Sequence, residues 1–425
     1  MDKIIINGGR PLNGRIRISG AKNSALPLMA ASLLTGESII LENVPKLSDV
    51  VTMAHLLVHH GVDLSLGGEE IIDSKGRVLL LKADNVNNYE APYDIVRKMR
   101  ASVLVLGPLV ARFGQGRVSL PGGCAIGTRP LDIHLKALRQ MGAEVNVYQG
   151  YIEANAPKGL HGAEIFFETP SVGATENILM AATLAKGTTI IHNVAMEPEI
   201  ADLITMLQKM GAKIWGINTN ILTIEGVPYL KGARHQIISD RIEAGTYAIA
   251  ACITGGKLTL YNVQHKNIFN VLNVLKILGA HIEYHKDEIT ICGRGPKTSG
   301  EIFTGAYPGF PTDMQAQFMS LMAVSAGISV IHENVFENRY MHVAELLRMG
   351  ADISVDGKVA TIRGVKSLYG AEVMATDLRA SVSLVLAGLV AKGQTVINRV
   401  YHIDRGYERI EDKLTYCGAD IYRAY

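Results

Sequence analysis

Apolar and polar residues follow one another along this chain in a pattern that recurs six times. Each repeat begins with a helix of small and apolar residues that face nearly all directions, as is typical of a helix buried on every side. A glycine stop, a short strand and a second, amphipathic helix follow, as at 268–278, and one or two strands close the unit. The buried helices are predicted at 24–34, 102–111, 175–185, 243–253, 313–325 and 378–390, with stops at Gly36, Gly114, Gly187, Gly255, Gly327 and Gly393.

The end of each second helix carries a common signature of glycine, alanine, a charged residue and an aliphatic residue, with variants at 61–64 and 279–282. Its glycines are Gly61, Gly142, Gly211, Gly279, Gly350 and Gly418, separated by 81, 69, 68, 71 and 68 residues. Six repeats of about seventy residues therefore fill the chain. They predict an α/β fold of two domains with three βαβαββ-type units each, the apolar helices inside and the other elements outside. The stretch 228–232 is predicted to link repeats three and four.

Charge and composition exclude several classes of function. The chain has 42 Lys and Arg against 40 Asp and Glu, and 6% aromatic residues, so neither a basic nucleic-acid surface nor stacking platforms are indicated. No apolar run is long enough to span a bilayer, and no signal-peptide pattern is present. Four cysteines without Cys-x-x-Cys spacing argue against a disulfide framework and a zinc site. We expect a cytoplasmic protein with no cofactor, metal, nucleic acid or membrane partner; a monomer is compatible with these features.

Cys124 has unusual neighbours for a cysteine. Three glycines lie within three residues of it in the segment 120–134, and they disfavour a regular helix or strand. We therefore predict a thiol on an exposed loop, a setting typical of functional residues. The other cysteines lie in apolar surroundings or near a helix end and are predicted to be inert fillers: Cys252, Cys292 and Cys417.

Charged residues gather just before the predicted buried helices. A helix N-terminus binds anions and disfavours cations, because its free N–H groups and dipole are positive. Three cations nevertheless stand there: Lys22, Arg100 and Arg379. Together they predict a site for phosphates or carboxylates. Ser171, Asp313 and Asp377 stand at similar places, and ordinary helix capping is the alternative interpretation for these three. Arg405, in a polar stretch, is a further candidate anion contact.

Eight segments together resemble the UDP-N-acetylglucosamine 1-carboxyvinyltransferase family over the whole chain. They are SGAKNSAL at 19–26, MRAS at 99–102, the segment 120–134, SVGAT at 171–175, PTDMQAQ at 311–317, FENR at 336–339, DLRA at 377–380 and DRGY at 404–407. The resemblance implies two inside-out α/β barrels, the enolpyruvate transferase fold. It places the domains at 22–238 and at 1–21 with 239–425, and the active site in a cleft between them.

The family reaction transfers the enolpyruvyl group of phosphoenolpyruvate to the 3-hydroxyl of UDP-N-acetylglucosamine and releases phosphate. It is the first committed step of peptidoglycan synthesis, on which cell shape and division depend. The resemblance implies that Cys124 is the general acid for C3 of phosphoenolpyruvate, can form a covalent adduct and is alkylated by fosfomycin. A cysteine pKa of ~8.5 keeps the thiol protonated, as an acid requires. The resemblance makes Asp313 the base for the sugar hydroxyl.

The resemblance also implies the substrate contacts. Phosphoenolpyruvate would be held by Lys22, Arg100, Arg129 and Arg405, of which Lys22 and Arg405 also stabilise developing charge. Asn23 would contact the sugar. The nucleotide would be held by Arg129, Pro130, Leu131, Asp132, Ile133, Ser171, Val172, Gly173 and Val335. Asp377 and Arg379 complete the predicted set. The family often has lysine where Thr169 stands here, so nucleotide affinity is expected to rest more on Arg129.

Two rival interpretations are weighed against this one. The sister enzyme that makes 5-enolpyruvylshikimate 3-phosphate shares the fold and phosphoenolpyruvate, but it lacks this cysteine segment and the Ser-Val-Gly motif. A non-enzymatic repeat scaffold would have polar capping repeats at both ends and no cations at its buried helix ends.

Overall fold

Six four-stranded sheets are formed by the residues that the computed structural model describes, which are 2–67, 76–120, 131–295 and 298–425. The strands are β1 (Lys3–Asn7), β2 (Asn13–Arg17), β3 (Ser38–Val44), β4 (Asp63–Gly67), β5 (Arg77–Lys82), β6 (Glu90–Ala91), β7 (Gln115–Ser119), β8 (Glu144–Tyr148), β9 (Tyr151–Asn155), β10 (Glu164–Phe166), β11 (Thr188–His192), β12 (Lys213–Trp215), β13 (Ile221–Glu225), β14 (Ala233–Gln236), β15 (Lys257–Tyr261), β16 (His281–Tyr284), β17 (Glu288–Cys292), β18 (Glu301–Phe303), β19 (Ile328–His332), β20 (Asp352–Asp356), β21 (Val359–Arg363), β22 (Glu372–Met374), β23 (Gln394–Asn398) and β24 (Asp420–Ala424).

Thirteen α-helices accompany these strands within the described ranges. They are α1 (Lys22–Ala30), α2 (Ser48–His60), α3 (Tyr93–Val96), α4 (Leu106–Phe113), α5 (Asp132–Gln140), α6 (Val172–Ala182), α7 (Pro198–Lys209), α8 (Arg241–Thr254), α9 (Phe269–Ile277), α10 (Gln315–Ala323), α11 (Val343–Arg348), α12 (Ser381–Val390) and α13 (Ile410–Tyr416). Five short 3-10 helices lie at Ala31–Leu34, Arg100–Val105, His265–Ile268, Thr312–Met314 and Val400–Arg405.

All six sheets share one topology, in which a parallel pair is followed by two antiparallel strands. An example is the order β10-β11-β13-β12, where β10 and β11 are parallel. Parallel strands need a crossover connection, and in four sheets the buried helix of the repeat provides it. In the other two sheets the parallel partner comes from a distant part of the chain: β2 pairs with β15, and β14 pairs with β3. The six-repeat prediction is thereby confirmed.

The described residues form two compact units. The central unit contains residues 20–67, 76–120 and 131–238, and the terminal unit contains 2–19, 239–295 and 298–425. Each unit has its own hydrophobic core. The stretch 228–232 lies inside the central unit, because β14 follows it and pairs with β3; the passage to the terminal unit comes at 238–239.

The apolar helices are the interior of each unit, as predicted. In the terminal unit α8, α10 and α12 contact one another, and residues 381–389 of α12 are all buried. In the central unit α4 packs on α6, and the 3-10 helix Arg100–Val105 contacts α1 and α6. A helix that buries every side needs the all-round apolar or small composition that the sequence has.

Two details of the predicted helices differ in the structure. Three of the predicted buried helices are split, with 3-10 turns at Ala31–Leu34, Arg100–Val105 and Thr312–Met314. The last one begins at residue 381 rather than 378, because the Asp377 side chain binds the first free N–H groups and residues 378–380 form a turn. The six signature glycines all adopt the left-handed conformation, with φ of 88–102°. Only glycine takes this conformation without cost, which explains the repeated signature.

Candidate functional site

Lys22 is the first residue of α1 and is buried in the central unit. Its Nζ lies 3.1 Å from Asp49 Oδ2, and Asp49 stands in the first turn of α2. The carboxylate compensates the cation that the helix N-terminus disfavours. Asn23, the next residue, is half-buried. The prediction that Lys22 stands at a buried helix end is correct. The ion pair with Asp49 explains why a lysine is tolerated at this position.

The Ser-Val-Gly motif opens α6. The Ser171 hydroxyl accepts a hydrogen bond from the N–H of Ala174 at 3.3 Å, so Ser171 is the N-cap. Capping and ligand binding are compatible here, because Ser171, Val172 and Gly173 are all half-buried and a helix N-terminus has several N–H groups without intrahelical partners.

A buried histidine connects this motif to the start of α5. Asn177 of α6 accepts the N–H of Gly107 at 2.7 Å through Oδ1, so its amide nitrogen donates to His134 Nδ1 at 3.0 Å. Burial, and secondly the charge of Arg100, lower the pKa of His134 to about 4. The imidazole is therefore neutral at pH 7, with its proton on Nε2. That edge of the ring lies within van der Waals reach of Gly173.

These contacts bring most of the predicted central-unit residues together. Leu131 precedes α5, Asp132 and Ile133 form its first turn, and α5 packs on α6 at the Ser-Val-Gly motif. Arg100 is half-buried and close enough to His134 to act on its pKa. The predicted Cys124, Arg129 and Pro130 lie outside the described residues, so their roles stay predictions.

Asp313 lies between two arginines in the terminal unit. Its Oδ1 is 2.6 Å from Arg339 Nη2, and its Oδ2 is 3.4 Å from Arg379 Nε. Both arginine side chains are almost fully buried, whereas the Asp313 side chain is 26% exposed. Opposite charges this close favour the ionised carboxylate, which is the form that a base requires. The capping alternative for Asp313 thus gives way to an ion-pair role.

Arg379 is the centre of this network. Its guanidinium also lies 3.7 Å from Asp240 Oδ2 and donates from Nη1 to the carbonyl of Gly406 at 3.2 Å. Burial lowers the pKa of Arg379, but Asp240, Tyr407 and Asp313 raise it by more, and the result is above the ordinary value. The cation is therefore permanent, and it holds Asp313 in place.

Glu333 places the segments on either side of Asp313. This buried carboxylate accepts hydrogen bonds from the Thr312 hydroxyl at 2.9 Å and from the N–H groups of Val335 and Phe336 at 3.0 and 3.1 Å. The predicted Val335 is thereby held beside the turn of Asp313, with its side chain 40% exposed. The Thr312 hydroxyl donates to Glu333 and accepts a hydrogen bond from Arg339.

Asp377 caps the turn that leads into α12. Its Oδ1 accepts the N–H groups of Arg379 and Ala380 at 2.7 and 2.8 Å. The helix-capping interpretation is therefore correct for Ser171, whereas Asp377 caps the turn before its helix. Its contribution to the site is to fix the backbone of Arg379.

Arg405 stands between neighbours that are firmly held. Asp404 binds Arg423 through both carboxylate oxygens, at 3.0 and 2.6 Å, and Arg423 Nε donates to Glu411 at 2.7 Å. On the other side of Arg405, the carbonyl of Gly406 accepts a hydrogen bond from the Arg379 guanidinium. The Tyr407 hydroxyl is 2.9 Å from Thr246 and 3.1 Å from Gln317. The residues on both sides of the half-buried Arg405 are therefore fixed by hydrogen bonds.

The sequence analysis missed Arg339 and Arg423 as supports of the site. Arg339 belongs to the FENR segment, which is part of the family resemblance. It does not precede a buried helix, so its position in the sequence does not mark it as an anomalous cation. Arg423 lies in the last strand, where nothing marks it. Cys252 and Cys417 are buried, as expected of fillers, and burial raises the pKa of Cys252 to about 12 and of Cys417 to about 11, whereas Cys292 is half-buried.

The described residues contain no group of three side chains suited to hold a metal ion. None of the helices in the described ranges has the length and apolar character needed to cross a membrane.

Comparison with known proteins decides the family. The family model of EPSP synthase (3-phosphoshikimate 1-carboxyvinyltransferase) matches residues 6–414. Proteins named UDP-N-acetylglucosamine 1-carboxyvinyltransferase are 58% identical in Acidiphilium cryptum and 56% identical in Granulibacter bethesdensis, each over 100% of this chain and 99% of the relative. The chain belongs to the UDP-N-acetylglucosamine 1-carboxyvinyltransferase family. The resemblance found in the sequence is therefore confirmed.

Solved structures confirm the fold of this carboxyvinyltransferase family member. The enolpyruvyl transferase NikO from Streptomyces tendae matches with a TM-score of 0.87 at 24% identity, over 100% of this chain and 99% of that one. EPSP synthase from Acinetobacter baumannii matches with a TM-score of 0.76 at 18% identity, over 100% of both chains. The α/β fold predicted from six repeats, and the enolpyruvate transferase fold that the resemblance implies, are correct.

Proposed function

We propose that this protein transfers the enolpyruvyl group of phosphoenolpyruvate to the 3-hydroxyl of UDP-N-acetylglucosamine with release of phosphate. The observation that carries the proposal is the full-length identity of 53–58% with relatives named for this reaction. The proposal places the reaction in the cytoplasm, as the first step of peptidoglycan synthesis, and needs no cofactor.

The reaction is an addition followed by an elimination. In the proposed first step the Asp313 carboxylate takes the proton of the sugar 3-hydroxyl, the oxygen attacks C2 of phosphoenolpyruvate, and Cys124 protonates C3. In the second step C3 gives up a proton, the C2–O bond to phosphate breaks, and the double bond reforms. The two arginines around Asp313 support this role because they orient the carboxylate and keep it ionised.

The proposed binding residues follow from charge and placement. Lys22, Arg100, Arg129 and Arg405 would hold the phosphate and carboxylate of phosphoenolpyruvate, to which cations are suited. Asn23 would contact the sugar. The first turn of α6, with Ser171, Val172 and Gly173, would hold the nucleotide diphosphate, because free N–H groups at a helix N-terminus bind such anions. Leu131, Asp132, Ile133, Pro130 and Val335 would complete this part, and we propose that residues of both units serve one active site.

A substrate comparison tests the proposal. Phosphate release is measured with phosphoenolpyruvate plus either UDP-N-acetylglucosamine or shikimate 3-phosphate. We expect release only with the nucleotide sugar. Release with shikimate 3-phosphate, and none with the nucleotide sugar, would assign the chain to the sister reaction instead.

A further inference from the structure

A cavity of about 410 Å³ opens in the terminal unit, away from the functions assigned above. It lies between the start of α9, at 265–271, and the turn that leads to α10, at 307–311. None of the described site residues is among its lining side chains. Its volume falls within the range of small-molecule sites, which is about 300–1,000 Å³.

The walls of this cavity are apolar and aromatic. Ile242, Val271 and Met314 are buried and supply aliphatic surface. Phe269 also lines the cavity, and 53% of its surface is exposed. Tyr284 and Tyr307 add two further aromatic rings. Such walls favour a planar, largely apolar ligand.

Positive charge is concentrated on the same walls. Lys276 Nζ lies 4.4 Å from the centre of the Tyr284 ring, and the Arg241 guanidinium lies 5.8 Å from the centre of the Tyr307 ring. Lys266 also lines the cavity and is exposed. The described lining residues include these three cations and no carboxylate. The cavity therefore selects for a negative charge on its ligand.

We propose that this cavity binds a planar organic anion, of the class of aromatic carboxylates, and that its occupation lowers turnover. The ring would pack against the exposed face of Phe269 and the tyrosines, while the carboxylate meets Lys276 and its neighbouring cations.

The coupling to turnover follows from the turn shared with Asp313. Pro311 and Met314 line the cavity on either side of Asp313 in the chain. Met314 also packs closely on α8, since a Cβ on Gly245 would lie 2.4 Å from its Sδ. A ligand that presses on Met314 would therefore push on the turn that carries Asp313. This coupling, unlike the binding, rests on the proposed function.

Binding is tested with 2-naphthoate, whose intrinsic fluorescence reports its environment. We expect saturable binding to the full chain that persists when phosphoenolpyruvate and UDP-N-acetylglucosamine are both present. Lys276→Ala and Phe269→Ala should each weaken the affinity by roughly 3- to 30-fold, as expected for loss of a charge or a ring contact in a partly desolvated site. Lys257→Ala, which removes an exposed charge from β15, is the matched control and should bind normally.

Several results would overturn the proposal. They are the absence of saturable binding, displacement of 2-naphthoate by the two substrates, and equal weakening in Lys257→Ala, which would indicate general attraction to a charged surface. Thermal midpoints of Lys276→Ala, Phe269→Ala and Lys257→Ala verify that all three variants are folded. Because fluorescence detects binding without turnover, a failure of the proposed reaction would appear separately, as normal binding in an inactive protein. Intact binding with unchanged turnover would refute the coupling.

Discussion

Replacing Asp313 by asparagine separates its proposed role as a base from its role as an ion-pair partner. Removing one partner of a fully buried ion pair costs about 3–5 kcal/mol. The cost here should be smaller, because the Asp313 side chain is 26% exposed and Arg379 keeps Asp240 as a partner. Asparagine also retains an oxygen that can accept from Arg339. We therefore expect a loss of about 1–2 kcal/mol in the free energy of unfolding, with the fold retained.

Turnover should respond much more strongly than stability. If Asp313 takes the proton of the sugar hydroxyl, Asp313→Asn should lower turnover by roughly 10²–10⁴-fold. A base works only when deprotonated, so turnover of the parent protein should fall as the pH falls, and this acid limb should vanish in the variant. Phosphate release and thermal unfolding are measured on the same preparations, with UDP-N-acetylglucosamine binding as a check that the site is intact.

Asp240→Asn is the matched control for this experiment. It removes the other carboxylate beside Arg379 but keeps the helix-capping oxygen that the N–H groups of Ile242 and Glu243 use, at 2.8 and 3.0 Å. We expect a similar loss of stability and a far smaller loss of turnover. A well-folded Asp313→Asn protein with near-normal turnover, or an equal loss of turnover in both variants, would refute the reasoning, because the carboxylate would then act only through Arg379.

Three further predictions concern other parts of the chain. Arg423→Lys cannot hold Asp404 through two hydrogen bonds, so KM for phosphoenolpyruvate should rise by roughly 10-fold or more while KM for the nucleotide sugar stays constant; Asp2→Asn, which removes the more exposed partner of Arg423, should behave normally. Cys124 should be the thiol that iodoacetamide or fosfomycin alkylates and substrate protects, and peptide mapping that finds the label chiefly in the other cysteines would contradict this. Burial, with the neighbouring glutamates, raises the pKa of Glu176 well above its ordinary value, so the folded state holds a proton that the unfolded state releases. The free energy of unfolding should therefore fall as the pH rises above the pKa that Glu176 has in the unfolded chain. Glu176→Gln should raise the thermal midpoint at pH 8 but not at pH 4.

The fold could be predicted because its determinants are local and repeated. Each signature glycine sits where the backbone needs a positive φ, as at Gly142 with φ of 92°, and such a demand appears directly in the sequence. Helices whose residues are apolar on every side are likewise predicted to be buried. What the pattern could not show is that β2 pairs with β15 and β14 with β3, because strand partners so far apart in the chain leave no local sign.

The sequence predicts candidate members of the site but not the contacts between them. Helix-end position revealed Lys22 and Arg379, since a cation there is anomalous. Their compensation by Asp49 and Asp240 depends on side chains that only the folded chain brings together. Asp313 shows the same limit: capping and catalysis were the alternatives that its sequence position allowed, whereas Arg339 makes it an ion-pair partner.

The most direct test of the proposed function is the structure of the product. The purified protein is incubated with phosphoenolpyruvate and UDP-N-acetylglucosamine, and the nucleotide product is isolated and examined by mass spectrometry and NMR. The account predicts one enolpyruvyl group, joined as a vinyl ether to the 3-oxygen of the sugar, and one phosphate released for each product formed. A nucleotide sugar that returns unmodified, or one that carries the group on another oxygen, would contradict it.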